Sequence, residues 1–138
     1  MKKMGNQYEI FIDGASRGNP GPSGIGIIIS RGEEVIKNIS KYIGNATNNV
    51  AEYSAFVFAL KEALILRLDK IKINTDSELL YRQLKGVYRV KSEGLKPYHE
   101  EAMHLMKGFR YLEINHISRI YNKGADKLAT MAVKNKAS

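Results

Sequence analysis

The sequence predicts an α/β protein built on one five-stranded mixed sheet, with helices on both faces. Three observations carry this expectation. Three β-rich segments joined by short turns open the chain, which makes an antiparallel meander. From Val50 a helical spacing of apolar residues replaces the strand pattern. Strand-like and helix-like segments then alternate, which adds strands to the same sheet and helices to its faces.

The first strand is Tyr8-Glu9-Ile10-Phe11-Ile12-Asp13, ending at the turn dipeptide Asp13-Gly14. The stretch from Ala15 to Ser23 carries Gly18, Pro20, Gly21 and Pro22 and is predicted to be a loop. Ile25 to Ser30 forms the second strand, Arg31-Gly32 the turn, and Val35 to Tyr42 the return strand. Val50, Tyr53, Val57, Leu60 and Leu64 then mark one face of a long helix. Ile71 to Thr75 is the fourth strand, and Ser77 to Leu84 a short helix stopped near Gly86. Pro97 sits in the first turn of a helix running to Met106. Tyr111 to Ile117 is the fifth strand. Asp126 to Val133 is the last helix, with Leu128, Ala129, Ala132 and Val133 as its apolar face. The order is βββαβααβα.

The 138 residues suit a single domain spanning 1–138, with a core of about 8–135. No apolar run reaches about 18 residues, so no membrane span is expected. The start, Met1-Lys2-Lys3-Met4-Gly5-Asn6-Gln7, is basic without an apolar stretch and does not read as a signal peptide. The absence of cysteine excludes disulfides and thiolate metal sites, which fits a cytoplasmic protein, and a monomer is the default expectation. The net charge of +8, from 22 basic and 14 acidic residues, favours polyanion partners.

Four carboxylates stand at the ends of elements. Asp13 ends the first strand, Glu52 lies in the first turn of the long helix, Asp76 ends the fourth strand, and Asp126 lies near the start of the last helix. If the first and fourth strands are parallel neighbours, Asp13 and Asp76 meet at the carboxyl edge of the sheet, where open sheets place their sites. Crowded carboxylates raise one another's pKa, and hard divalent cations such as Mg²⁺ relieve them. Each residue also has a structural reading. Asp13-Gly14 is a common turn, Asn49 and Glu52 can form a capping box, Asp76 can cap the helix at Ser77, and Asp126 can complement a helix dipole.

The motifs go further. The run from Ile12 to Gly24 (Ile-Asp-Gly-Ala-Ser-Arg-Gly-Asn-Pro-Gly-Pro-Ser-Gly) resembles the first motif of type 1 ribonuclease H. Thr47-Asn48-Asn49-Val50-Ala51-Glu52 resembles the second, and Thr75-Asp76-Ser77 the third. His116 with the run from Asn122 to Ala129 resembles the fourth, so that the likeness extends from about Tyr8 to Val133.

The resemblance implies a ribonuclease H-like fold and an endoribonuclease that hydrolyses the RNA strand of RNA–DNA hybrids, leaving 3′-hydroxyl and 5′-phosphate ends. It implies Asp13, Glu52, Asp76 and Asp126 as ligands of two Mg²⁺ or Mn²⁺ ions flanking the scissile phosphate. It assigns Gly14, Asn19, Thr47, Asn48 and Asn49 to the hybrid, with the asparagines in its minor groove and Thr47 on a DNA-strand phosphate. Helix capping is an alternative for Asn48 and Asn49, and a plain turn for Asn19. His116, ten residues before Asp126, matches a histidine assisting proton transfer or release of product and metal. Asn122 matches a polar position that supports the site or caps the last helix. The chain resembles compact prokaryotic members that lack a basic protrusion and a hybrid-binding domain. Glu78 stands where many relatives have glutamine. The same fold serves DNA-junction nucleases, and a silent hybrid-binding module is a further reading.

Overall fold

The computed structural model describes residues 7–137, and the basic start at residues 1–6 lies outside them. The elements are β1 (Tyr8–Ser16), β2 (Gly21–Arg31), β3 (Glu34–Ala46), α1 (Asn48–Ile65), β4 (Lys70–Thr75), α2 (Glu78–Leu84), α3 (Lys96–Met106), β5 (Tyr111–His116) and α4 (Lys123–Ala137), with a 3-10 turn at Arg119–Tyr121. One sheet holds the strands in the order β3-β2-β1-β4-β5. The first three pair antiparallel, whereas β4 joins β1, and β5 joins β4, in parallel. Among the described residues no helix is long and apolar enough to cross a membrane.

On one face of the sheet, Ile10 and Ile12 of β1, Ile25, Ile27 and Ile29 of β2, and Ile71 and Ile73 of β4 form the core with α1. The helix turns Ala51, Ala55, Ala59 and Ala63 into this core, all fully buried. Their four-residue spacing aligns them on one face, and their small size brings the helix axis close to the strands. The bulky residues picked by periodicity lie beside that line: Tyr53, Val57 and Leu60 are buried, while Val50 and Leu64 are only half-buried.

The other face of β2 is covered by α4 through Ala125, Ala129, Ala132 and Val133, all buried. Here the approach is so close that a Cβ on Gly26 would stand 2.1 Å from the Ala125 carbonyl oxygen. Glycine on the strand and alanine on the helix are thus one packing solution read from two segments of sequence.

The predicted Ala15–Ser23 loop is mostly strand. Ala15 pairs with Gly24 and Ser16 with Ser23, so β1 and β2 extend to a turn at Arg17–Pro20. Pro22 has no N–H to give, yet its carbonyl accepts from the Arg17 N–H at 2.8 Å, which closes the turn. The glycine and proline content marks that turn correctly and overstates its length.

Candidate active site

The ladder between β1 and β4 ends at Phe11 opposite Asn74. Beyond this pair the two chains part, while β1 continues along β2. Asp13 therefore lies inside β1, opposite Gly26, and does not end the strand as its Asp-Gly turn signal suggests. The Asn122 side chain bridges the parted chains: its Nδ2 donates to the Ile12 carbonyl at 2.8 Å and to Asp76 Oδ2 at 2.9 Å. Asp76 follows the end of β4 directly. It does not cap α2; Ser77 does, its Oγ accepting from the Leu80 N–H at 3.2 Å.

Glu52 enters from α1, in the second turn, because the helix already begins at Asn48. The Asn49–Glu52 capping box does not form. Thr47 is the N-cap, its Oγ1 accepting from the Val50 N–H at 3.2 Å. Glu52 is thereby left to face β1, where its Oε1 accepts from the Gly14 N–H at 3.1 Å. That approach requires glycine: a Cβ on Gly14 would lie 2.4 Å from the Ala51 carbonyl carbon.

Carboxylate oxygens of Asp13, Glu52 and Asp76 lie within 4.8 Å of one another. Asp126, exposed in the first turn of α4, stands outside this close group of three but near enough to help raise the Asp13 carboxyl. Its backbone N–H donates to the Asn122 carbonyl at 3.1 Å, which fixes the helix start beside Asp76. Burial pushes the Asp13 carboxyl up to about 9, with Glu52, Asp76 and Asp126 adding to the rise. Burial, and then the Asp76 charge, push Glu52 up to about 8 against the pull of the Gly14 N–H and Arg119. The cluster is thus short of positive charge.

The residues assigned to substrate gather on two touching segments. Asn19, on the β1–β2 turn, accepts at Oδ1 from the Asn48 N–H at 2.8 Å. The backbone donor identifies the oxygen, so the Asn19 amide NH₂ is the end left for other partners. The side chains of Asn48 and Asn49 are exposed in the first turn of α1. Neither caps the helix. Asn122 does not spend its amide on capping either; its Oδ1 is buried without a partner among the described residues. His116 lies exposed at the end of β5, its ring stacked on Tyr81 at 5.7 Å. Glu78 is held by Arg82 at 2.8 Å.

Sequence reasoning missed Arg119, whose charge reaches Glu52. Its only signal was a cation three residues before Asn122, in a stretch otherwise read for carboxylates.

A parallel β1–β4 pair with Asp13, Glu52 and Asp76 gathered near its carboxyl edge, and Asp126 at the start of α4, defines a nuclease-type acidic site on a mixed α/β sheet. The reverse transcriptase-like family matches residues 11–132. A curated ribonuclease HI of Halobacterium salinarum is 37% identical over 94% of the chain and 65% of its own length. The chain thus spans about two thirds of that relative, and 35% of curated mycobacterial relatives. The crystal structure of RNase H1 from Halobacterium salinarum superposes with a TM-score of 0.90 at 36% identity, covering 94% of this chain and 98% of that one. LC11-RNase H1, a protein isolated from compost, matches in its complex with an RNA/DNA hybrid with a TM-score of 0.89 at 38% identity, covering 95% and 99%. The chain belongs to the type 1 ribonuclease H family.

Proposed function

We propose that residues 8–135 form one catalytic domain that hydrolyses the RNA strand of RNA–DNA hybrids, leaving 3′-hydroxyl and 5′-phosphate ends. The observation that carries this reading is the convergence of Asp13, Glu52 and Asp76 within 4.8 Å. The all-oxygen donor set fits hard divalent cations, Mg²⁺ or Mn²⁺. Two further features fit the same group: carboxyls raised by burial and by their acidic neighbours, and the unpartnered Asn122 Oδ1 beside them. Two such ions would supply the clamp on the attacking and departing oxygens of an in-line displacement.

The chain's own residues hold and select. Gly14 and Arg119 favour the ionised form of Glu52, the form that can ligate. Asn122 aims Asp76 and ties it to β1. Asn19, Asn48 and Asn49 present amides beside the cluster, suited to the acceptors of a minor groove and to the 2′-hydroxyl that separates RNA from DNA. His116 presents an exposed ring at the end of β5. The net charge of +8 supports binding to a polyanion and predicts salt-sensitive affinity.

The test is cleavage of a labelled hybrid beside matched RNA duplex, DNA duplex and single-stranded RNA. It is run with Mg²⁺, Mn²⁺ or EDTA, with Asp76→Asn as control. The expected result is metal-dependent cutting of the RNA strand of the hybrid, lost in the variant. An intact hybrid in both metals, where a control enzyme cuts, sinks the reading.

A further inference from the structure

Ser16 and Ser23 are direct cross-strand partners at the ends of β1 and β2. Their hydroxyls lie 2.9 Å apart. Ser23 is fully buried. Ser16 Oγ lies 2.6 Å from the Gly18 carbonyl and 2.8 Å from the Ala46 carbonyl. Ser23 Oγ lies 2.9 Å from the Gly21 carbonyl and 3.1 Å from the Ala46 carbonyl. Each hydroxyl has one proton, so the two donors are shared among three carbonyls within hydrogen-bonding distance. Gly18 and Gly21 bracket Asn19 and Pro20 in the turn. Ala46 ends β3, one residue before the Thr47 cap. The pair sits where the register of β2 against β3 shifts, between Ser23 and Gly24. Ladder pairing is therefore irregular at the point where the turn must be aligned with the helix.

We infer that Ser16 and Ser23 are positioning residues: a hydroxyl latch that sets the β1–β2 turn against the start of α1 and thereby aligns Asn19 with Thr47, Asn48 and Asn49. The inference rests on the proposed hybrid specificity for its consequence and on the hydroxyl–carbonyl geometry for its existence. The latch acts through the two segments it joins, at a distance from the reacting atoms. The bond from the Asn48 N–H to Asn19 Oδ1 is a second tie between the same segments, and its geometry depends on the first. Removing both hydroxyls leaves the carbonyls of Gly18, Gly21 and Ala46 without these donors, which frees the turn to move against the helix.

The test compares the unaltered protein with Ser16→Ala/Ser23→Ala, with Ser16→Thr and with Ser30→Ala. Ser30 is also a buried β2 serine bonded to a β1 carbonyl, that of Glu9 at 3.3 Å, and serves as control for the loss of a buried hydroxyl. The double variant is expected to raise the hybrid KM about tenfold with kcat within about twofold, the signature of lost binding alignment. It is also expected to narrow the preference for hybrid over RNA duplex. Ser16→Thr keeps a hydroxyl and keeps the KM, and Ser30→Ala leaves it unchanged. Amide exchange at Asn48, measured in the same proteins, is faster in the double variant alone. If the double variant melts lower but keeps KM and preference, or if Asn48 exchange is unaltered, the latch is wrong. If the unaltered protein leaves hybrids intact, the proposed function fails instead, and Asn48 exchange still decides the latch.

Discussion

At the carboxylate cluster like charges are packed together, whereas at the junction of the β1–β2 turn with α1 donors face acceptors. Asp13 and Glu52 are buried and raised to about 9 and about 8 by desolvation and by their acidic neighbours. Farther along β1 and across on β2, Ser16 and Ser23 donate to carbonyls of the turn and of β3, and Asn19 takes a helix N–H. On the proposed function, the first region needs a divalent cation, whereas the second is held by contacts within the protein, which would limit the ordering needed on binding. On that reading, selection and chemistry fall to regions that should respond differently to mutation, pH and metal.

The sharpest way to break this contrast is Asp13→Asn. Activity should fall on the order of a thousandfold, the scale of deleting one member of a preorganised electrostatic clamp. The metal-free protein should nevertheless melt higher, since a repelled carboxyl is gone. A lower melting temperature with lost circular dichroism would make Asp13 structural. Gly14→Ala should act in the opposite sense. Its Cβ meets the Ala51 backbone at 2.4 Å, so β1 and α1 must separate. A loss of about 1–3 kcal/mol or more by urea titration is expected, with activity falling because Glu52 is displaced.

How much of this was legible differs along the same line. The element order followed from strand and helix periodicities, which are local signals. The candidate carboxylates were picked by their places near element ends, but the parallel β1–β4 pairing entered only as a condition, since strand order is not a local signal. The strand pairing of Ala15 and Ser16 was hidden by glycines and prolines, which signal a turn but do not give its length. The Asn49–Glu52 capping box had the right local spacing. It lost to Thr47, which starts the helix earlier and turns Glu52 toward Gly14. The roles of Ser16, Ser23 and Arg119 depend on partners distant in sequence, such as Ala46 and Glu52, and single positions gave no hint of them.

The pH dependence sharpens the comparison further. Asp13 rises from an ordinary 3.8 to about 9, and Glu52 from 4.5 to about 8. Between those limits the folded protein keeps protons that the unfolded chain has released. The stability these groups contribute is full below pH 4 and is lost as pH rises toward 9. In EDTA the urea midpoint should therefore fall from pH 5 to pH 9. In millimolar Mg²⁺ the fall should shrink, since the cation takes the place of the protons. A midpoint that is flat or rises in EDTA contradicts the frustrated cluster. Asp13→Asn should flatten the EDTA curve by removing the larger of the two shifts.

The smallest expected effect is the most diagnostic for the junction of the turn with α1. Asn19→Asp keeps an oxygen for the Asn48 N–H and adds a negative charge at the start of α1, where the helix dipole favours it. Stability should hold or rise by a few tenths of a kcal/mol, at the lower end of such interactions. The amide NH₂ is lost, however, and a carboxylate now faces a polyanion. Hybrid affinity should fall about tenfold, more at low salt than at high salt, because the added repulsion is screened. Asn19→Ala would lose both ends of the side chain and lower stability and affinity together. Opposite signs in the aspartate variant and like signs in the alanine variant separate the two jobs of one amide: its oxygen ties the turn to α1, and its nitrogen faces the hybrid. Equal affinity for Asn19→Asp and the unaltered protein would mean that the NH₂ end meets no substrate.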